Sequence, residues 1–269
     1  MGRAQARLPA PPAGSGPVSS DVAILCYHAV SEDWPNVAAI DRATLERQVG
    51  HLLKRGYRPR TLSQAFSPGA QGRSLVVTFD DAFRSVLERG LPVLERLGVP
   101  ATLFVPTDFA AEAAPMTWSS LAQWQGGRFE EELRCMSWEE VRRLATVGWE
   151  IGSHTCSHPK LTEIGAEAAA AELERSRAAC EEALQQPCTT FAYPFGAHDG
   201  EVVELTRRAG YELAVTLGTR LLEPRVREER LRLSREGIYR ETSWPQFLAA
   251  TSPLLGRMRA SRAFGSRFG

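Results

Sequence analysis

The chain has 269 residues, 43% hydrophobic and 24% charged, with 32 Lys and Arg set against 32 Asp and Glu. These are the proportions of a folded globular protein and exclude a disordered, collagen-like or coiled-coil chain. Zero formal charge gives no support to a general nucleic-acid or membrane-surface binder. Five Cys, an odd number with no C-x-x-C pair, argue against a disulfide scaffold or a Cys-based zinc site.

Residues 1–20 are rich in Pro, Gly, Ala and Ser and lack the continuous apolar stretch of a signal peptide, which predicts a disordered N-terminal tail. No run of about 18 apolar residues occurs, so no transmembrane segment is expected. Five unpaired thiols then suit a cytoplasmic setting. Between the tails, Val22–Tyr27 reads as a buried strand. Asp41 caps a helix with Leu45, Val49, Leu52 and Leu53 on one face, ending near Gly56. Ser74–Phe79 is the next strand. Arg84–Leu97 is a helix with a kink at Pro92 and Gly98 as its stop, and Ala101–Val105 is a third strand. Residues 106–137, rich in Trp and Gly, read as a long irregular insertion. The capping box Ser137–Glu140 starts a helix through Val147. Strand Trp149–Ile151, helix Ala166–Leu184, strand Thr189–Ala192, helix Val202–Ala209 and strands Leu213–Thr216 and Leu231–Leu233 complete the series. Such alternation predicts an α/β chain with a parallel sheet, open or closed, in a single domain over residues 21–250. Residues 251–269 form a basic tail carrying Arg257, Arg259, Arg262 and Arg267 and no acid. Either a weak polyanion or membrane-surface contact or simple solvation accounts for it.

In such folds functional side chains sit just past the carboxyl ends of strands. There the sequence places Tyr27 and His28, Asp80 and Asp81, the run Ser153–Pro159, Tyr193–Gly196 and Arg235. His154 and His158 are four apart, so on a helical turn both imidazoles reach one ion. Two His and a carboxylate leave a position for water, as in a catalytic zinc site. The spacing alone also fits two polar residues in a surface turn. Asp80 and Asp81 end an apolar strand, where charge is costly unless paired or metal-bound. Adjacent strand residues face opposite ways, so both carboxylates serve one site only if the strand ends there. Asp81 considered alone also fits a helix N-cap.

These residues resemble the polysaccharide deacetylase (NodB-type) domain, carbohydrate esterase family 4. Its T-F-D-D motif reads Thr78-Phe79-Asp80-Asp81, and its histidine motif reads His154-Thr155-Cys156-Ser157-His158. A weaker third motif, around a Pro-aromatic-Gly turn, reads Phe191-Ala192-Tyr193-Pro194-Phe195-Gly196. The resemblance runs from about Asp21 to Arg240. It implies a distorted (β/α) barrel of about seven parallel strands and a divalent metal, commonly zinc, on Asp81, His154 and His158. The activity implied is hydrolysis of N-acetyl groups on a sugar or glycan. Asp80 would be the general base toward metal-bound water, and the Phe195 N–H would stabilise the oxyanion. Tyr193 and Arg235 are further candidates for substrate binding.

The sequence also departs from the family pattern. Many members carry an Arg where Ala192 stands, which orients the base, and a late Leu-x-His whose His protonates the leaving amine. Here the late segment reads Leu231-Arg232-Leu233-Ser234-Arg235. His28, in Leu25-Cys26-Tyr27-His28, resembles the start of the exopolysaccharide-deacetylase subgroup, in which the acid comes from this early His. His198 is the other candidate, whereas His51 reads as outer helix face. Arg235 is a candidate replacement for the missing Arg. Cys26 reads as core, Cys156 as pointing away from the metal, and Trp118, Trp124 and Trp138 either as sugar-stacking or as core residues. Hydrolysis of another small amide or ester, and a catalytically silent carbohydrate-binding module, are the competing readings.

Overall fold

The computed structural model describes residues 22–218 and 229–252. The tail expected over residues 1–20, and the four arginines of the basic tail, lie outside the described residues. In chain order the elements are β1 (Val22–Tyr27), the short pair β2 (Ala29–Val30) and β3 (Ala39–Ile40), α1 (Arg42–Lys54), β4 (Arg58–Pro59), α2 (Leu62–Ala65), β5 (Ser74–Phe79), α3 (Leu91–Leu97), β6 (Ala101–Val105), α4 (Thr107–Glu112), α5 (Trp138–Thr146), β7 (Glu150–Ser153), α6 (Ala166–Leu184), β8 (Thr190–Ala192), α7 (Gly200–Arg208), β9 (Leu213–Leu217), β10 (Leu233–Gly237) and α8 (Trp244–Ala250).

β1 pairs in parallel with both β5 and β10. The sheet therefore runs β1-β10-β9-β8-β7-β6-β5 and back to β1, a closed barrel of seven parallel strands, with β4 added at the start of β5. This matches the expected barrel and its strand number. Side chains alternate along each strand. Ile24, Val76, Phe104, Ala192, Leu213, Val215 and Leu233 share one buried cluster inside the ring, while Leu25, Val77 and Leu103 pack outward with α1, α3 and α5 residues such as Leu45, Leu94 and Val141. A second outer cluster joins Leu173 of α6 and Val203 of α7 to Phe191. Gly152 of β7 lets the interior close, because a Cβ there would lie 2.6 Å from Phe104 Cε1.

The structure moves several sequence-based boundaries. The helix expected over Arg84–Leu97 is divided. Residues Val86–Gly90 form a π-helical turn, in which the Leu91 N–H reaches the Val86 carbonyl, and α3 follows with Pro92 in its first turn. Pro92 has no N–H, and its ring crowds the carbonyl four residues back, so a continuous α-helical ladder is interrupted there. Residues 106–137 are not simply irregular. They contain α4 and two 3₁₀ turns, and they bury Met116, Leu121, Leu133 and Met136. The last strand is Leu233–Gly237, and Glu229–Leu231 is a 3₁₀ turn. Arg235 therefore lies within the strand rather than after it. Charged residues in an apolar-run reading look like loop, but Arg235 finds a buried partner. Among the described residues no helix is long and apolar enough to cross a membrane.

Candidate active site

Alternation on three neighbouring strands builds the site's floor. Ile24 and Cys26 on β1, Val76 and Thr78 on β5, and Leu233 and Arg235 on β10 each stand two residues apart, so the polar member follows the apolar one along the same inward column. Asp80 continues the β5 column. Its N–H donates to the Tyr27 carbonyl at 3.0 Å. The strand ends at Phe79, and Asp81 and Ala82 both take left-handed backbone, with φ of 69° and 53°. Two consecutive non-glycine residues in that region are strained. The turn brings the Asp81 carboxylate to the site beside that of Asp80, as two adjacent acids require.

The Asp80 carboxylate is buried and forked by Arg235, which donates from Nη1 to Oδ1 at 2.6 Å and from Nη2 to Oδ2 at 2.7 Å. Arg235 is itself fixed by Nη1 on Thr78 Oγ1 (3.0 Å) and Nε on the Thr216 carbonyl (3.3 Å). Burial pushes the Asp80 carboxyl up, but the charge and hydrogen bonds of Arg235, with the nearby His154 and His28, together more than offset it and hold the group below the usual carboxylate range. Cys26, read from sequence as core packing, also faces this group. Its Sγ–H points to Asp80 Oδ2 at 3.5 Å, and burial pushes its thiol well up, so it stays a donor.

His154 and His158 do come together with Asp81, but not on a helical turn. They lie on a loop after β7 in which Thr155 and His158 have φ of 67° and 63°. Glu172 of α6 holds that loop by accepting from the Cys156 N–H (2.7 Å), the Ser157 N–H (3.1 Å) and the Ser157 hydroxyl (2.8 Å). The carbonyls of Thr155 and Cys156 accept the Thr107 and Asp108 N–H groups of α4 at 3.0 and 3.1 Å. These are first-turn donors with no partner inside their own helix. As expected, Cys156 points away, its Sγ toward the Glu172 carbonyl.

The ring of His154 is oriented by Nδ1, 2.7 Å from the Ala192 carbonyl. A carbonyl only accepts, so Nδ1 carries a proton, and Nε2 is the nitrogen turned toward Asp81. His154 Nε2 and His158 Nε2 lie 3.4 and 3.3 Å from Asp81 Oδ1. Oδ1 is buried and without a hydrogen bond. A tetrahedral ion with bonds of about 2.0–2.1 Å keeps its ligand atoms about 3.3–3.4 Å apart. The spacing and the orphaned oxygen therefore fit a divalent cation on Asp81, His154 and His158. Burial pushes the Asp81 carboxyl up, yet the two imidazoles more than offset it and hold it far below the ordinary range. Burial lowers His154, but Asp80 and Asp81 raise it further. For His158 burial wins and the group stays low.

The remaining candidates divide. His28 is half-buried, with a ligand atom within 4.8 Å of those of Cys26 and Asp80. Its Nδ1 is buried without a hydrogen-bond partner among the described residues, and its ring faces that of Tyr239 at 6.2 Å. His198 is engaged instead with the Gly196 carbonyl (2.9 Å) and the ring of Tyr193. His51 packs edge-on against Trp244 at 5.1 Å, on the outer layer as expected. Phe195 turns in left-handed backbone (φ 59°), is 45% exposed and sits 4.7 Å from the His158 ring. Tyr193 requires a correction. Its side chain is fully buried and its hydroxyl donates to the Leu231 carbonyl at 3.0 Å, so the phenol anchors the barrel wall and offers nothing to a substrate. Of the three tryptophans, Trp124 packs on Trp34, Trp138 on the outer core and Trp118 on His158.

Residues 68–214 match the family model described as polysaccharide deacetylase. The chain belongs to that family. The match takes in Asp80, Asp81, His154, His158 and Phe195 and leaves out His28 and Arg235. The chain is similar to YxkH of Bacillus subtilis, named for the same family, with 23% identity over 72% of this chain. It is also similar to the poly-β-1,6-N-acetyl-D-glucosamine N-deacetylase of Staphylococcus aureus, with 21% identity over 69%. In both cases the aligned region is 63% of the relative's length. The deacetylase PplD of Streptococcus pyogenes, solved with acetate, shares the fold, with a TM-score of 0.70 at 20% identity over 86% of this chain and 98% of that one.

Proposed function

We propose that this chain is a metal-dependent N-deacetylase of an N-acetylated glycan, releasing acetate. The observation that carries the reading is the juxtaposition of a buried carboxylate kept ionised by Arg235 with three convergent cation donors on Asp81, His154 and His158. When bound there, a divalent cation (zinc is the first choice for two imidazoles and a carboxylate) supplies Lewis-acid polarisation of the acetyl carbonyl and acidifies water. Asp80 then accepts a proton from the attacking water, and Arg235 holds its oxygens in register, the task many relatives give to an Arg at the position of Ala192. The Phe195 N–H donates to the oxyanion as the carbonyl oxygen gains charge. His28 supplies the proton that lets the amine leave. The name of the staphylococcal relative supports a polymer of N-acetylglucosamine as the substrate class.

The test is acetate release from β-1,6- and β-1,4-linked N-acetylglucosamine oligomers, with chelator and with zinc restored. Release that is lost with chelator and returns with zinc supports the proposal. Zinc-loaded protein that releases no acetate from either series while binding the oligomers supports the silent-module reading instead. Release from simple esters alone favours the other hydrolase reading. For His28, His28→Ala is expected to lower kcat by about 10²–10⁴-fold, the usual worth of a general acid. A negligible loss moves the proton to His198 or water.

A further inference from the structure

The two histidines are held in different ways. His154 has the usual arrangement of a ligand imidazole, with its second nitrogen donating to a carbonyl. His158 does not. Its Nδ1 is buried and has no hydrogen-bond partner among the described residues. Its ring instead contacts two aromatic side chains. Trp118 stacks on it with centroids 4.0 Å apart and planes inclined 24°, and Phe195 meets it at 4.7 Å and 62°. A separation of 4.0 Å is shorter than the usual range for aromatic pairs, about 4.5–7 Å.

Trp118 is placed for this by several contacts of its own segment. Phe109 of α4 meets the indole edge-on at 5.5 Å. The strip before it is pinned by the Met116 N–H to the Leu133 carbonyl (2.8 Å) and the Cys135 N–H to the Ala114 carbonyl (3.1 Å). The α4 helix that carries Phe109 also caps the carbonyls of Thr155 and Cys156. One side of the histidine loop and the face of its second imidazole are thus braced by the same segment.

Resting on the reading of Asp81, His154 and His158 as a cation site, we propose that Trp118 is a positioning residue whose stacked indole fixes the His158 imidazole, in place of the hydrogen bond that His154 donates to the Ala192 carbonyl. It touches no reacting atom. Its worth lies in keeping the His158 Nε2 aimed at Asp81 Oδ1 before a cation arrives. Removing an outer partner of a metal-bound histidine lowers metal affinity by about 10–100-fold. Trp118→Leu keeps an apolar side chain but has no ring face, and Trp118→Phe keeps the face.

The experiment is zinc affinity by competition with a chromogenic chelator, together with the visible spectrum of the cobalt-loaded proteins and the unfolding midpoint of each metal-free protein. The expected result is a loss of about 10–100-fold in zinc affinity for Trp118→Leu, an altered cobalt band, recovery in Trp118→Phe and a metal-free midpoint near that of the unaltered chain. Equal zinc affinity in Trp118→Leu and the unaltered chain overturns the proposal and leaves the cation site standing. A Phe variant as weak as the Leu variant also overturns it, because stacking is then not what matters. An unaltered chain that takes up no zinc, or a His154→Ala variant that binds as tightly, overturns the cation reading itself.

Discussion

Asp80→Asn is expected to bring acetate release down by about 10⁴-fold, the upper end of what a positioned general base supplies, while zinc still binds. The substitution is close in shape. It keeps an oxygen for one arm of the Arg235 fork and turns an NH₂ toward the other, so the group no longer accepts a proton and one guanidinium donor loses its partner. The cation donors lie on the next residue and on the histidine loop, and none of them is altered. Metal content after dialysis and the rate on the same oligomers check both halves together. An Asn variant turning over at the unaltered rate removes Asp80 from the mechanism. A variant that loses zinc as well assigns the carboxylate to the cation instead.

Arg235→Met is the second large effect, and it falls on stability as well as rate. Both members of the pair are buried, and removing one partner of a buried ion pair costs about 3–5 kcal/mol because the other charge is stranded. The Thr78 hydroxyl and Thr216 carbonyl lose a donor too. The pH dependence has a definite sign. With Arg235 present the folded pKa of Asp80 is below its unfolded value, so its contribution is full above about pH 3.9 and is lost as pH falls through the folded value. Without Arg235 the largest influence opposing burial is gone, and the folded pKa rises. The variant's deficit is then largest near neutral pH and shrinks as acid protonates the carboxyl. Urea unfolding of both proteins across that range measures it, and equal stability at neutral pH would show that the fork contributes nothing. Arg235→Lys is not expected to restore the rate, since an ammonium cannot engage both oxygens in a planar fork.

Much of the barrel was legible because its strands are continuous apolar runs, such as VAILCY and SLVVTF, divided by amphipathic helices. The two acids and two histidines were legible because they cluster at strand ends. Arg235 was named, but as a residue beyond the last strand. Its true place follows from a partner 155 residues away, which no local pattern reports. The inward column offered a signal, since Arg235 stands two residues from Leu233 as Asp80 continues from Val76 and Thr78. Cys26 was passed over for the same reason. It reads as one more apolar strand residue until β1 and β5 are aligned and its column is seen to end at Asp80. The histidine spacing suggested the right pairing through the wrong local structure, because left-handed Thr155 and His158 do over a loop what a helical turn does by periodicity. Trp118 and Tyr193 carried no pattern that separates a side chain facing the site from one facing the core.

Closure of the ring between β1 and its two neighbours, β5 and β10, bears on how the protein is made. A nascent chain that has emerged only as far as β9 has an open, curved sheet with β1 and β9 as free edges, the kind of surface that invites mispairing with other chains. In that state Asp80 has no guanidinium opposite it, and water must solvate the carboxylate in what will become a dry interior. Docking of β10 seals the edges and delivers Arg235 in the same event. The Asp80–Arg235 fork and the protection from aggregation are thus completed by one late strand, and a ribosome must finish nearly the whole barrel before either exists.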